Sequence, residues 1–183
     1  MTSFTLGSLT AATVSSVPHL VAAPTAHLIA ELGWGDQLGA VAIDPALSDT
    51  INFVAAFGLT DALAANCVIV AGQRNGEERV AACVVLANTR ADINTVVRKR
   101  LDVRKASFLS LDEAVARTGM EYGGITPIGL PGEWPILVDS RVANAGLLTL
   151  GAGVRSSKMI APGVLLANLP GAEVIKDLAR PIA

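Results

Sequence analysis

Two apolar runs, Asn66–Ala71 and Arg79–Asn88, face each other across Gln73-Arg74-Asn75-Gly76-Glu77. Asn-Gly suits the two positive-φ positions of a tight hairpin turn, so the runs read as paired antiparallel strands. Both are nearly continuous in Val, Ala, Ile, Leu and Cys. Strands of that composition are covered on both faces. A chain carrying this hairpin therefore needs further layers on either side of it. Its 183 residues are enough for one domain to supply them. With 51% hydrophobic and 16% charged residues, the composition is the opposite of a disordered chain's.

Around the hairpin the pattern predicts further elements. Residues 1–40 carry the least signal and read as an N-terminal extension packed on a domain over 41–183, with one helix through Pro24–Leu32. Val41-Ala42-Ile43 reads as a strand, and Ser48–Phe57 as a helix with Ser48 as its cap and Gly58 past its end. Asp92–Leu101 is a helix with Ile93, Val96, Val97 and Leu101 on one face. Ala106–Leu109 is a strand, and Ser110-Leu-Asp-Glu113 is a capping box for a helix ending at Gly119. Residues 119–135 are dense in Gly and Pro and read as a long shaped loop, often a functional feature. Strands follow at 135–139, 147–150 and 158–160, then a helix over 162–169 and a last strand or helix over 173–177. Strands and helices alternate without a clean βαβ period, which predicts a mixed α/β sheet.

Several chemistries find little support. No run of about 18 apolar residues offers a membrane span, and no basic residue precedes an apolar core at the N-terminus as in a secretory signal. Two cysteines suit a reducing cytoplasm. Cys67 and Cys83, in separate strands, and the distant His19 and His27 do not form zinc-ligand pairs, so no metal is expected. There is no Gly-x-Ser-x-Gly elbow. Gly151-Ala-Gly-Val-Arg-Ser156 lacks the third glycine of a dinucleotide fingerprint and reads as a turn or close backbone approach. A net charge of −2 lacks the global basic signature of many nucleic-acid binders. Yet Arg90, Arg98, Lys99, Arg100, Arg104 and Lys105 concentrate six of the fourteen basic residues into sixteen positions. That cluster is either a solvated helix face or a set of RNA phosphate contacts.

Gly123-Gly-Ile-Thr-Pro127 resembles the Gly-x-x-x-Pro loop of the YbaK/EbsC/ProX family, which includes prolyl-tRNA editing domains. The order of segments around it is similar as well. Val84–Ala87 followed by Thr89–Asn94 resembles the family's strand and "R-x-D-x-x" helix start. Lys105–Phe108 and Leu111–Ala114 match the next strand and helix, Ile136–Asp139 a "V-x-x-D" strand, and Gly151–Arg155 an "S-x-G-x-R" segment. Ala161–Leu169 and Gly171–Val174 resemble the terminal helix and strand, so the resemblance spans about residues 41–177.

This resemblance implies one α/β domain, with a mixed, mostly antiparallel sheet flanked by helices. It implies a free-standing trans-editing deacylase that hydrolyses the ester of a mischarged tRNA in a small amino-acid pocket, in the cytoplasm. The partners are the 3′ end of aminoacyl-tRNA and a synthetase in trans, without DNA, membrane or cofactor. Catalysis is implied at Gly123, Gly124, Ile125, Thr126 and Pro127, and substrate contacts at Asn66, Asp139, Gly151, Gly153, Arg155 and Lys158. Arg98, Lys99 and Arg100 are the tRNA-contact candidates.

Three positions depart from the family pattern. Asn66 stands where a lysine usually opens the strand before the hairpin, Gly151 where Ser is frequent, and Lys158 near a position often acidic. Either Lys158 replaces the missing cation or it is a solvated strand residue. The activity readings are correspondingly a deacylase, a binding module that lost turnover with the lysine, or a small-molecule hydrolase or binder using the same pocket.

Overall fold

The computed structural model describes residues 3–182; Met1, Thr2 and Ala183, at the ends of the two expected segments, lie outside them. In chain order the elements are β1 (Ser3–Leu6), β2 (Leu9–Thr13), α1 (Ala23–Glu31), β3 (Gly39–Ala42), α2 (Thr50–Ala56), β4 (Ala65–Arg74), β5 (Glu77–Leu86), β6 (Thr89–Ala91), α3 (Arg98–Leu101) and β7 (Ala106–Phe108). They continue with α4 (Leu111–Thr118), β8 (Ile136–Asp139), α5 (Ser140–Ala143), β9 (Leu147–Gly151), β10 (Ser157–Pro162), α6 (Gly163–Ala167), β11 (Ala172–Ile175) and β12 (Ala179–Pro181). A wider π-helical turn, Ile93–Val97, leads into α3.

The β4–β5 hairpin is central, and Asn75 and Gly76 at its tip both take positive φ, 54° and 85°. It sits inside a five-stranded sheet of order β11-β8-β5-β4-β7, where β8 runs parallel to both β5 and β11 and the other pairs are antiparallel. A second five-stranded sheet, β1-β2-β3-β10-β9, is antiparallel throughout. β12 and β6 form a short separate pair. The α/β class and mostly antiparallel pairing agree with the sequence reading, but the strands divide between two main sheets rather than one.

The hairpin's two faces explain its continuous apolar sequence. Ile69, Ala71, Val80, Ala82 and Val84 point into a core shared with Leu148, Leu150, Met159 and Ala161 of the second sheet. Val70, Ala81, Cys83 and Val85 point the other way, against Val97, Leu101, Val103 and Leu178. A third cluster covers the outer side of the second sheet, where Phe53 and Val54 of α2 pack on Leu9, Ala11 and Ile160.

Two local readings need correction. Asp49, not Ser48, caps α2: its carboxylate accepts from the N–H groups of Ile51 and Asn52 at 2.9 and 3.4 Å. Residues 3–13, which carried no strand signal, form β1 and β2 and are hydrogen-bonded into the second sheet through β3. α1 is fixed by the buried Thr25 hydroxyl, which donates to the Ile128 carbonyl at 2.9 Å.

Candidate functional site

A cleft of about 390 Å³ opens where the two sheets and the 119–135 loop meet. The edge of β4 makes one wall: β5 pairs with its full length, whereas β7 pairs only with Val70–Gly72 and leaves residues 65–68 facing the cleft. Cys67, Ile69, Leu109, Ala114 and Ile125 give the cleft an apolar lining. Asn66, Thr50, Gly151 and Lys158 make a polar side, and the Thr50 hydroxyl donates to Asn66 Oδ1 at 2.9 Å.

The glycine loop reaches the cleft through alternate residues. Gly123 and Ile125 line it, and their N–H groups meet no acceptor among the described residues. Between them, Gly124 turns away: its N–H donates to the Glu121 carbonyl at 3.0 Å and its carbonyl accepts from Gly153 at 2.7 Å. Thr126 is fully buried, and its hydroxyl has no partner among the described residues. Gly124, Thr126, Pro127 and Gly153 thus shape the loop from behind and are absent from the cleft lining. β9 seats the loop closely, because a Cβ on Gly151 would lie 2.3 Å from the Gly124 carbonyl oxygen.

Lys158 is a buried lining residue, not a solvated one. Only 6% exposed, it donates to the Ser48 carbonyl at 2.9 Å and lies 5.3 Å from the centre of the Phe53 ring. Burial pushes its amine down to about 8, with nearby Asp49 acting in the opposite sense. Arg155 straps the loop from outside: its backbone N–H donates to the Glu121 carboxylate at 2.6 Å, and its guanidinium donates to the Tyr122 and Pro45 carbonyls at 3.1 and 3.4 Å.

Other expected site residues lie elsewhere. Asp139 caps α5 through the Arg141 N–H, pairs with the Arg141 guanidinium at 2.8 and 2.9 Å, and accepts from the Ala179 N–H at 2.9 Å. Burial raises its pKa, but the Arg141 bonds and charge and the Ala179 N–H outweigh burial and hold it below the usual carboxylate value. With 1% exposure and both oxygens occupied, Asp139 ties β8, α5 and β12 together and is absent from the cleft lining. Arg98, Lys99 and Arg100 sit on α3, which covers the sheet face turned away from the shared core. None of the three lines the cleft, and Arg100 is paired with Glu173.

Sequence reasoning missed Ser48, Asp49, Thr50, Cys67, Phe108, Leu111 and Tyr122 as cleft residues. Tyr122, the only tyrosine and the immediate neighbour of Gly123, offered the clearest signal. Burial drives the Cys67 thiol well above its ordinary pKa, with Cys83 adding to the shift. That is unfavourable for a thiolate nucleophile.

The profile of the aminoacyl-tRNA editing domain family matches residues 44–168, about two thirds of the chain. No curated protein matches it significantly. Among solved structures, the hypothetical protein APE2540 is similar with a TM-score of 0.74 and 20% identity, covering 86% of this chain and 99% of its own. A candidate trans-editing enzyme for prolyl tRNA synthetase is similar with a TM-score of 0.71 and 17% identity, covering 84% of this chain and 93% of its own. At these identities the structural likeness speaks for the fold. No helix among the described residues is long and apolar enough to cross a membrane.

Proposed function

The chain belongs to the aminoacyl-tRNA editing domain family, and from that premise we propose that it is a cytoplasmic trans-editing deacylase acting on mischarged tRNA released by a synthetase. The observation that carries this reading is the pair of unoccupied N–H groups, on Gly123 and Ile125, at one cleft with an apolar lining and the Lys158 amine. The apolar lining suits a small aminoacyl side chain. The two N–H groups suit an ester carbonyl whose oxygen gains negative charge when attacked. Water adds to the carbonyl carbon, the bond to the ribose oxygen breaks, and the ribose oxygen takes up a proton as the free amino acid leaves. The adenosine's vicinal hydroxyl is placed to assist that proton transfer. Lys158 supplies the cation that Asn66 lacks.

Purified protein offered a panel of mischarged tRNAs should release one or a few amino acids faster than buffer. Binding without release across the whole panel would favour the module that lost turnover. Equal release from tRNA and from simple amino-acid esters would favour a small-molecule hydrolase.

Arg98, Lys99 and Arg100 lie away from the cleft, so in this reading they contact the tRNA body and not the reacting end. Neutralising all three together should flatten the dependence of tRNA affinity on salt, because fewer phosphate counterions are released. Arg100 should contribute least, since Glu173 already holds it. An unchanged slope would move the RNA footprint off α3.

A further inference from the structure

We infer that Tyr122, backed by the Arg155 guanidinium, is the platform on which the terminal nucleobase of the substrate stacks, an inference that rests on the deacylase reading and gives its nucleoside a place. Aromatic residues are scarce, seven in 183 positions, and such side chains normally belong to a core. Here Tyr122 is 54% exposed, Phe108 43% and Leu111 50%, and all three line the mouth of the same cleft. None belongs to the three apolar clusters that stabilise the fold. Tyr122 therefore presents ring surface to solvent at the entrance of a site whose acyl end lies deeper.

Arg155 gives this ring a direction. Its guanidinium lies 5.6 Å from the ring centre and is held there by the carbonyls of Tyr122 and Pro45. Among the described residues no carboxylate forms a salt bridge with it. Its charge remains available to a ribose hydroxyl or a phosphate. An exposed aromatic face beside a fixed cation is the arrangement that accepts an unstacked base of single-stranded nucleic acid.

Chain connectivity supplies the spacing. Tyr122 directly precedes Gly123, one of the two residues whose free N–H groups are assigned to the ester carbonyl. In an aminoacyl-adenosine the ester and the base are attached to the same ribose. A base on Tyr122 and an ester at Gly123 then fall on adjacent residues lining one cleft, as the two ends of a single ribose require. Phe108 and Leu111 form another part of the rim, where they exclude water from the base edge.

The test compares two substrates carrying the same amino acid: an aminoacyl-tRNA and the corresponding ethyl ester. Tyr122→Ala should raise KM for the tRNA ester roughly tenfold, with kcat little changed, since base stacking on an aromatic ring is worth about that much. Tyr122→Phe and Tyr122→Trp should retain near-normal KM, and hydrolysis of the ethyl ester should not respond to Tyr122→Ala. An equal loss on both substrates would assign Tyr122 to holding the loop, and no loss on either would remove the platform; both overturn the inference. If the protein hydrolyses no ester, binding of an amide-linked 3′-aminoacylamino-adenosine decides separately. Affinity lost in Tyr122→Ala and kept in Tyr122→Phe sustains the platform while the deacylase reading fails. Affinity indifferent to Tyr122, or none in the native protein, overturns it.

Discussion

Lys158→Met is expected to lower kcat/KM by tenfold to a hundredfold or more while leaving the fold at least as stable. The activity estimate follows from losing one charge-assisted contact, worth roughly 1.5–3 kcal/mol. The stability estimate follows from burial. Folding moves the amine from 10.5 down to about 8, so between those values the unfolded chain binds more protons than the folded one. Stability therefore rises with pH from about 8 to 10.5, and at neutral pH the buried ammonium costs on the order of 3 kcal/mol. Methionine removes that cost but leaves the Ser48 carbonyl without its donor, a loss of about 1–3 kcal/mol. The net expected in urea unfolding is between no change and a gain of about 2 kcal/mol. A residue kept for packing alone would not behave this way.

The same amine sets a pH signature. Above pH 8 its charged fraction falls, so KM should rise there once uncatalysed ester hydrolysis is subtracted. Asn66→Lys in the Lys158→Met background should restore activity, because Asn66 lines the same cleft. A silent Lys158→Met together with a large gain from Asn66→Lys alone would sink the compensation and leave a weakened deacylase.

What could be read from the sequence was local. Asn75-Gly76 specifies its own turn, Ser110 and Glu113 their own helix start, and the double-faced hairpin its own burial. The glycine loop was legible as a shape because no regular element tolerates that many Gly and Pro residues. The surroundings of Lys158 were not legible, since its burial is made by α2 and the turn just before it, more than a hundred residues earlier, which bring Phe53 and Ser48 over it. The surroundings of Asp139 were hidden for a related reason: Arg141 is a local partner, but the Ala179 N–H reaches the carboxylate only when β12, forty residues later, folds back beside it. β1 and β2 were missed because short strands such as Ser-Phe-Thr-Leu and Leu-Thr-Ala-Ala-Thr bury too little apolar surface to stand out. They are stabilised by pairing within a sheet that the sequence does not announce.

Gly151→Ala is expected to reduce kcat about a hundredfold, with a modest loss of stability. The added Cβ would lie 2.3 Å from the Gly124 carbonyl oxygen and 2.6 Å from that of Ile125, closer than real Cβ contacts allow. Both carbonyls must move, and they belong to the peptide planes that carry the N–H groups of Ile125 and Thr126. A displacement of about 1 Å in a positioned donor is enough for roughly a hundredfold loss. The loop cannot easily retreat, because Gly153 donates to the Gly124 carbonyl at 2.7 Å and Glu121 donates to the Gly153 carbonyl at 2.8 Å. Behind it, a Cβ on Gly124 would already lie 2.7 Å from the Val154 backbone, so Gly124→Val should lose activity for the same reason. The three apolar cores do not include these glycines, so the strain should remain at about 1–3 kcal/mol and the protein should still fold. Gly132→Ala and Gly146→Ala are the controls: neither residue has positive φ or an atom within 4 Å of the added carbon, and both variants should match the native rate. A normal kcat in Gly151→Ala would mean that the N–H groups of the loop do not hold the oxyanion, and a role for this loop in catalysis would have to rest on something other than their position.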